Sequence, residues 1–144
     1  MRKILIPVDA ANPARMKAAV AEAVRIYSQG PVDVHLLSVQ PLVTSHVAMF
    51  FGDGELHQLQ QSAGAEDLQP ARSLLESDGV PYTASVRVGR SAETIARTAR
   101  ELGCDRIVLG QDGAGSLAGR MFGSLAQQVR QLVSVGGDCQ VIGS

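Results

Sequence analysis

The chain has 144 residues, 45% of them hydrophobic, which is the length of one domain with enough apolar content to bury a core. A net charge of −1 leaves no basic footprint for nucleic acid or an acidic membrane surface, and 3% aromatic content without Trp removes the stacking platforms of single-strand binders. No apolar run approaches the roughly 18 residues that span a bilayer, and the amino-terminal run stops at Asp9, too soon for a secretory signal, so a cytoplasmic domain is expected.

Ile4 to Val8 is a short unbroken apolar run, as expected of a strand covered on both faces, and Asp9 ends it. Asn12 followed by Pro13 reads as a helix N-cap with proline in the first turn. Met16, Val20, Ala23, Val24 and Tyr27 then recur at helical spacing until Gly30-Pro31 stops them. Val32 to Val39 reads as a second strand. Turn residues mixed with an apolar patch, Val47 to Phe51, fill the stretch to about Gly54. Glu55 to Asp78 is helical in pattern, with a bend or break expected near Gly64 and Pro70 and with Gly79 as the stop.

Tyr82 to Val88 alternates as a half-buried strand, and Ser91 is the expected N-cap of a helix that carries Ile95, Ala96, Ala99 and Leu102. Gly103 supplies its left-handed stop. Asp105 to Gly110 is a fourth strand, Leu125, Val129, Leu132 and Val133 mark a last helix, and Cys139 to Ile142 is a short final strand. The alternation predicts an α/β fold: one domain, Rossmann-like, with a five-stranded parallel sheet and helices on both faces. Ligands bind such sheets beyond the carboxyl ends of the strands, where the strand order reverses, and the loops after Val8, Val39 and Leu109 are expected to meet there.

The loop from Gly110 to Ser124 holds five glycines in fifteen positions, against an average usage of about 7%. Glycine lets a backbone approach a bulky ligand and turn its N–H groups inward, and a helix that opens after Gly123-Ser124 offers unpaired donors to an anion. A surface loop using glycines only for turns is the competing reading. A Walker A loop is excluded because the chain has no Gly-Lys dipeptide. Gly113-x-Gly115-x-x-Ala118 imitates a dinucleotide fingerprint, but it follows the fourth strand instead of the first.

The spacing Gly110-x2-Gly113-x9-Gly123-Ser124 resembles the G-x2-G-x9-G-[ST] signature of ATP-binding universal stress proteins. The likeness extends along nearly the whole chain. Ile4 to Asp9 resembles that family's opening strand and aspartate, Val34 to Val39 its second strand, and Val88 to Ile95 with Asp105 to Gly110 its third-helix entry and fourth strand.

The resemblance implies that residues 1–144 form one universal stress protein domain with the adenine nucleotide α hydrolase-like version of the fold. It implies an adenine nucleotide, ATP, ADP or AMP, with Mg²⁺ or Mn²⁺ bridging the phosphates. Pro7 and Asp9 then contact the ribose and adenine end, and Val39 lays backbone groups against the adenine edge. Gly110 and Gly113 pass under the ribose and α-phosphate, with Gln111 and Gly115 in the same loop. Gly123, Ser124 and Leu125 hold the outer phosphates. It further implies a stress-response or regulatory role, a homodimer through the last strand, and a protein partner.

The chain departs from the family at Gln111 and Asp112, where a small polar and a basic residue are usual. It departs again at Ala10-Ala11, and at Gly136 to Gln140, which lacks a proline approach to the last strand. Arg120 is the basic residue within the loop. Two other functions stay open: an interaction module of the same fold that binds no nucleotide, motivated by Asp112, and a slow ATPase. For the latter the polar candidates are Asp9, Asp112 and Ser116, with no evident base to activate water, so at most weak hydrolysis is expected.

Other motifs point to no chemistry. His35, His46 and His57 lack ligand partners at metal-binding spacing, and no G-x-S-x-G elbow is present. Asp9 lacks the acidic neighbour of a phospho-acceptor. Cys104 and Cys139 form no C-x-x-C pair and are expected to be reduced and mostly buried. The Val47–Phe51 patch reads first as core capping the strand ends, with a lid over the adenine or a partner surface as alternatives.

Overall fold

Strand β1 (Arg2–Pro7) runs through the centre of a five-stranded parallel sheet. The structure, a computed structural model, describes residues 2–52, 54–110, 125–134 and 139–142. After β1 the chain passes through α1 (Pro13–Ser28), β2 (Val32–Gln40), the single-turn α2 (Ser45–Ala48), α3 (Glu55–Ser77) and β3 (Tyr82–Val88). It continues through α4 (Ser91–Leu102), β4 (Arg106–Val108), α5 (Leu125–Ser134) and β5 (Gln140–Ile142). The strand order is β3-β2-β1-β4-β5. The chain therefore builds outward from β1 to one edge, returns through α4, and builds outward again on the other side.

Side chains alternate across a strand, so each apolar run serves two cores. Ile4, Ile6, Val34, Leu36 and Val108 join Met16, Val20 and Ile26 of α1 and Leu68 and Leu75 of α3. Leu5, Leu37, Ile107 and Leu109 join Ile95, Ala96 and Ala99 of α4 and Val129 and Val133 of α5. Helices thus cover both faces, as the sequence predicts, and the fold class stands: a Rossmann-like single domain.

Local signals explain most boundaries. Asn12 caps α1 by accepting a hydrogen bond from the Arg15 amide at 3.1 Å, with Pro13 opening the helix. Gly79 and Gly103 take left-handed conformations (φ 69° and 70°) just past α3 and α4.

Three expectations are corrected. α3 runs without interruption through Gly64 and Pro70. Gly64 is buried where α3 lies on β3, and Pro70 is on the exposed side, where the carbonyl it leaves unpaired can bond water. The N-cap of α4 is Arg90, with no side-chain cap bond, and Ser91 is the first helical residue. The apolar patch after β2 does not cap the core. It forms α2, which buries no residue, and leaves Met49 81% and Phe50 78% exposed.

Candidate functional site

The strand order reverses between β1 and β4, and a cleft opens there at the carboxyl ends of the strands. β1 ends on Pro7, and the Val8 amide, bonded to the Leu37 carbonyl at 2.8 Å, carries the chain one step further beside β2. Asp9 then turns it. Its side-chain Oδ1 accepts from the Ala11 amide at 2.9 Å and its carbonyl from the Asn12 amide at 3.1 Å, an Asx turn that fixes the carboxylate at the mouth.

Pro7, Val8 and Asp9 line one wall of the cleft, Leu37 and Val39 of β2 a second, and Leu109 the third. These are the three loop starts expected to converge, and they do. Ser91 and Ile95 from the first turns of α4, and Leu125 at the start of α5, close the other side. The amino end of α4, whose N-cap Arg90 makes no side-chain cap bond, comes to this rim. Among the described lining residues the charges are one carboxylate, Asp9, and one guanidinium, Arg15.

Of the residues singled out from sequence, Pro7, Asp9, Val39 and Leu125 therefore share one cleft. Gly110 is buried beside it, but for a reason the spacing does not reveal. A Cβ built there would sit 1.8 Å from the Arg15 carbonyl oxygen and 2.9 Å from the Ala19 amide nitrogen, so this glycine lets the end of β4 touch the backbone of α1. Gln111, Gly113, Gly115, Gly123 and Ser124 lie outside the described residues, as do Asp112, Ser116 and Arg120.

Sequence reasoning missed Arg15, Leu37 and Ile95 as lining residues and took Ser91 only for a cap. Leu37 and Ile95 are indistinguishable from core by pattern. An arginine in the first turn of a helix reads as a solvated charge until β4 is seen to pack against that turn.

At the opposite, amino ends of the strands lies a second cleft, lined by Lys3, Asp33, His35, Thr83 and Cys104 among others. His35 and Lys3 in it are engaged. His35 Nδ1 is 2.6 Å from Thr83 Oγ1 and Nε2 is 2.8 Å from Ser85 Oγ, while Lys3 Nζ donates to the Leu102 carbonyl at 3.1 Å. Burial pushes the Cys104 thiol up to about 11, which leaves it protonated and unreactive near neutral pH. Both cysteines are free, Cys104 buried and Cys139 half-buried.

The family model described as "Universal stress protein family" matches residues 1–135. The chain belongs to the universal stress protein family. Solved members of the family share its fold. A universal stress protein in complex with cAMP matches with a TM-score of 0.73 at 14% identity, over 99% of this chain and 96% of the other. A family member from Arabidopsis thaliana with AMP bound matches at 0.65 and 16% identity, over 99% and 90%. The Archaeoglobus fulgidus universal stress protein in complex with dAMP matches at 0.61 and 19% identity, over 99% and 97%. No curated protein sequence matches the chain.

Proposed function

We propose that this universal stress protein binds an adenine nucleotide, ATP, ADP or AMP, in the carboxyl-end cleft and works as a nucleotide-dependent regulatory domain. The reading is carried by one observation: Pro7, Asp9, Val39 and Leu125 meet at the chain reversal, beside the glycine that opens the G-x2-G-x9-G-[ST] spacing. The lining suits the ligand. Val8, Leu37, Val39 and Leu109 offer apolar surface to a purine, and Asp9 and Arg15 offer charged groups to its polar parts. Relatives solved with cAMP, AMP and dAMP support the same ligand class.

In this reading Asp9 accepts from ribose hydroxyls, and the backbone at Val39 meets the adenine edge. Gly110, Gln111, Gly113 and Gly115 run beneath the ribose and α-phosphate, and Gly123, Ser124 and Leu125 hold the outer phosphates. Mg²⁺ or Mn²⁺ arrives with the phosphates, since one carboxylate in the described lining is too few for a protein-built cage. With no evident base, hydrolysis is weak or absent. Residues 1–144 act as one domain in the cytoplasm. β5, an edge strand of three residues, pairs with a second copy.

Denaturing the purified protein and analysing the released small molecules tests this, together with thermal shifts on adding ATP, ADP or AMP. Asp9→Asn is the informative variant: it keeps an Oδ1 acceptor for the Ala11 amide but removes the charge at the mouth. The shift is expected to shrink while the ligand-free Tm holds. Finding no nucleotide and no shift in the wild type sinks the reading.

A second reading, an interaction module, is favoured by the exposure of Met49 and Phe50. It predicts that Met49→Ser with Phe50→Ser abolishes partner binding while nucleotide shifts are unchanged.

A further inference from the structure

One apolar surface belongs neither to the core nor to the nucleotide cleft. After β2, Leu42, Val43, Val47, Met49 and Phe50 are all exposed, and so is Leu59 of α3. Phe51 and Leu59 face each other across a groove of about 360 Å³, whose other described walls are Glu55, Gln58 and Ser62. The segment that carries these side chains is held by its own hydrogen bonds. Thr44 Oγ1 accepts from the Val47 amide at 3.3 Å, the Phe50 and Phe51 amides donate to the Val47 and Ala48 carbonyls at 3.1 Å, and Glu55 Oε2 accepts from the Gly52 amide at 3.3 Å. The apolar side chains are therefore presented in a fixed arrangement, which lowers the ordering cost of docking.

The charge around this surface selects what can cover it. From Ile26 to Ala71 the sequence has no lysine or arginine. Glu55 stands in the groove wall, and Glu66 falls on the same face of α3 as Glu55, Leu59 and Ser62 by helical spacing. The two carboxylates are about 16 Å apart along the helix. Neither joins an ion pair among the described residues. A second copy seated on this face would bring the carboxylates against their like, and an anionic lipid surface would be repelled in the same way. A basic amphipathic helix meets both demands. Its apolar stripe enters the groove, and lysines or arginines beside the stripe reach Glu55 and Glu66. Met49, unbranched and polarisable, adapts to the shape of such an insert.

We propose that the groove between Phe51 and α3 docks a basic amphipathic helix of a partner protein. The proposal rests on the interaction reading and gives it a partner chemistry, and it holds whether or not the carboxyl-end cleft carries a nucleotide. The apolar contacts supply most of the affinity, and the carboxylates fix the orientation and reject acidic partners.

The test is fluorescence anisotropy with labelled peptides of about 18 residues, long enough to hold a helix. One has leucine and lysine at helical spacing, the second has glutamate in place of lysine, and the third is the leucine–lysine peptide in scrambled order. Wild type is expected to bind the first peptide about tenfold tighter than either of the others. Each variant is first checked for an unchanged Tm. Phe50→Ser with Leu59→Ser is expected to weaken binding about tenfold or more. Glu55→Gln with Glu66→Gln is expected to weaken it about fivefold at low salt, an effect that shrinks as salt rises. Asp78→Asn, at the far end of α3, is expected to change nothing. An equal loss in Asp78→Asn marks unspecific charge attraction and overturns the proposal, as does equal binding of the scrambled peptide. Three results overturn the basic helix but keep the patch as a contact surface: tighter binding of the glutamate peptide, self-association in sedimentation that Phe50→Ser removes, and binding to phosphatidylcholine–phosphatidylglycerol vesicles. Wild type that does none of these things overturns the interaction reading together with the proposal.

Discussion

His35 shows how one residue's chemistry is decided by its neighbours. Its two ring nitrogens bridge from β2 to the hydroxyls of Thr83 and Ser85 on the edge strand β3, an arrangement a neutral ring satisfies by donating from one nitrogen and accepting at the other. Burial, and then the Arg87 guanidinium, hold its pKa below the usual value of 6.5. The charged groups around it are Arg87, which pairs with Glu101 of α4, and Asp33 and Lys3 at the cleft rim. A base whose folded pKa is depressed stabilises the fold above its unfolded pKa, and that contribution is lost as pH falls through the folded one. The Tm is therefore expected to fall as pH drops below 6.5, and His35→Gln to flatten that part of the profile in differential scanning fluorimetry. A mutant profile parallel to wild type refutes this. A histidine within a strand is visible in the sequence, but whether hydroxyls or ligands face it depends on the register of β2 against β3.

Among the elements, α3 best separates what pattern can tell from what it cannot. Its apolar spacing and the Gly79 stop are plain in the sequence, whereas of the bend or break expected near Gly64 and Pro70 the break does not occur. Propensity counts the cost of glycine in a helix but is blind to what the helix rests on. A Cβ at Gly64 would lie 2.4 Å and 2.6 Å from the two methyls of Val86, so the glycine is what lets α3 settle onto β3. Gly64→Ala gains about 1 kcal/mol in helix propensity. Against this stands an overpacking cost of about 1–3 kcal/mol, since a β-branched valine cannot easily turn aside. A net loss of about 1 kcal/mol is expected in urea unfolding, and adding Val86→Ala is expected to recover part of it by making room. A Gly64→Ala variant more stable than wild type would show that propensity wins.

At the scale of the whole molecule, the site exists because the chain reverses direction at β1. The strand order β3-β2-β1-β4-β5 places the ends of β1, β2 and β4 side by side and brings the first turns of α1 and α4 to the same rim. Gly110 is the joint of that arrangement. An added methyl would collide with the Arg15 carbonyl, which is helix backbone and cannot move aside. Gly110→Ala is therefore expected to lower stability by about 3 kcal/mol without any ligand present, measured by thermal unfolding of the nucleotide-free protein. A variant that keeps its Tm and loses only nucleotide binding contradicts this packing role.

The sequence by itself determined the fold class, the alternation of strands and helices, most helix ends and the family, because periodicity, caps and glycine spacing are local and survive without contacts. It pointed to Asp9 and to the loop after Leu109 as one site, since turn chemistry and motif spacing are written in neighbouring residues. Which residues complete the cleft was decided by the tertiary structure. Arg15 joins it because β4 packs on α1, Gly64 is tolerated because β3 lies beneath it, and Met49 and Phe50 face outward because no element covers them among the described residues. Gly110 belongs to both accounts. Its place in the spacing is a sequence fact, but its need for hydrogen in place of a side chain comes from a helix turn distant in sequence that only folding brings against it.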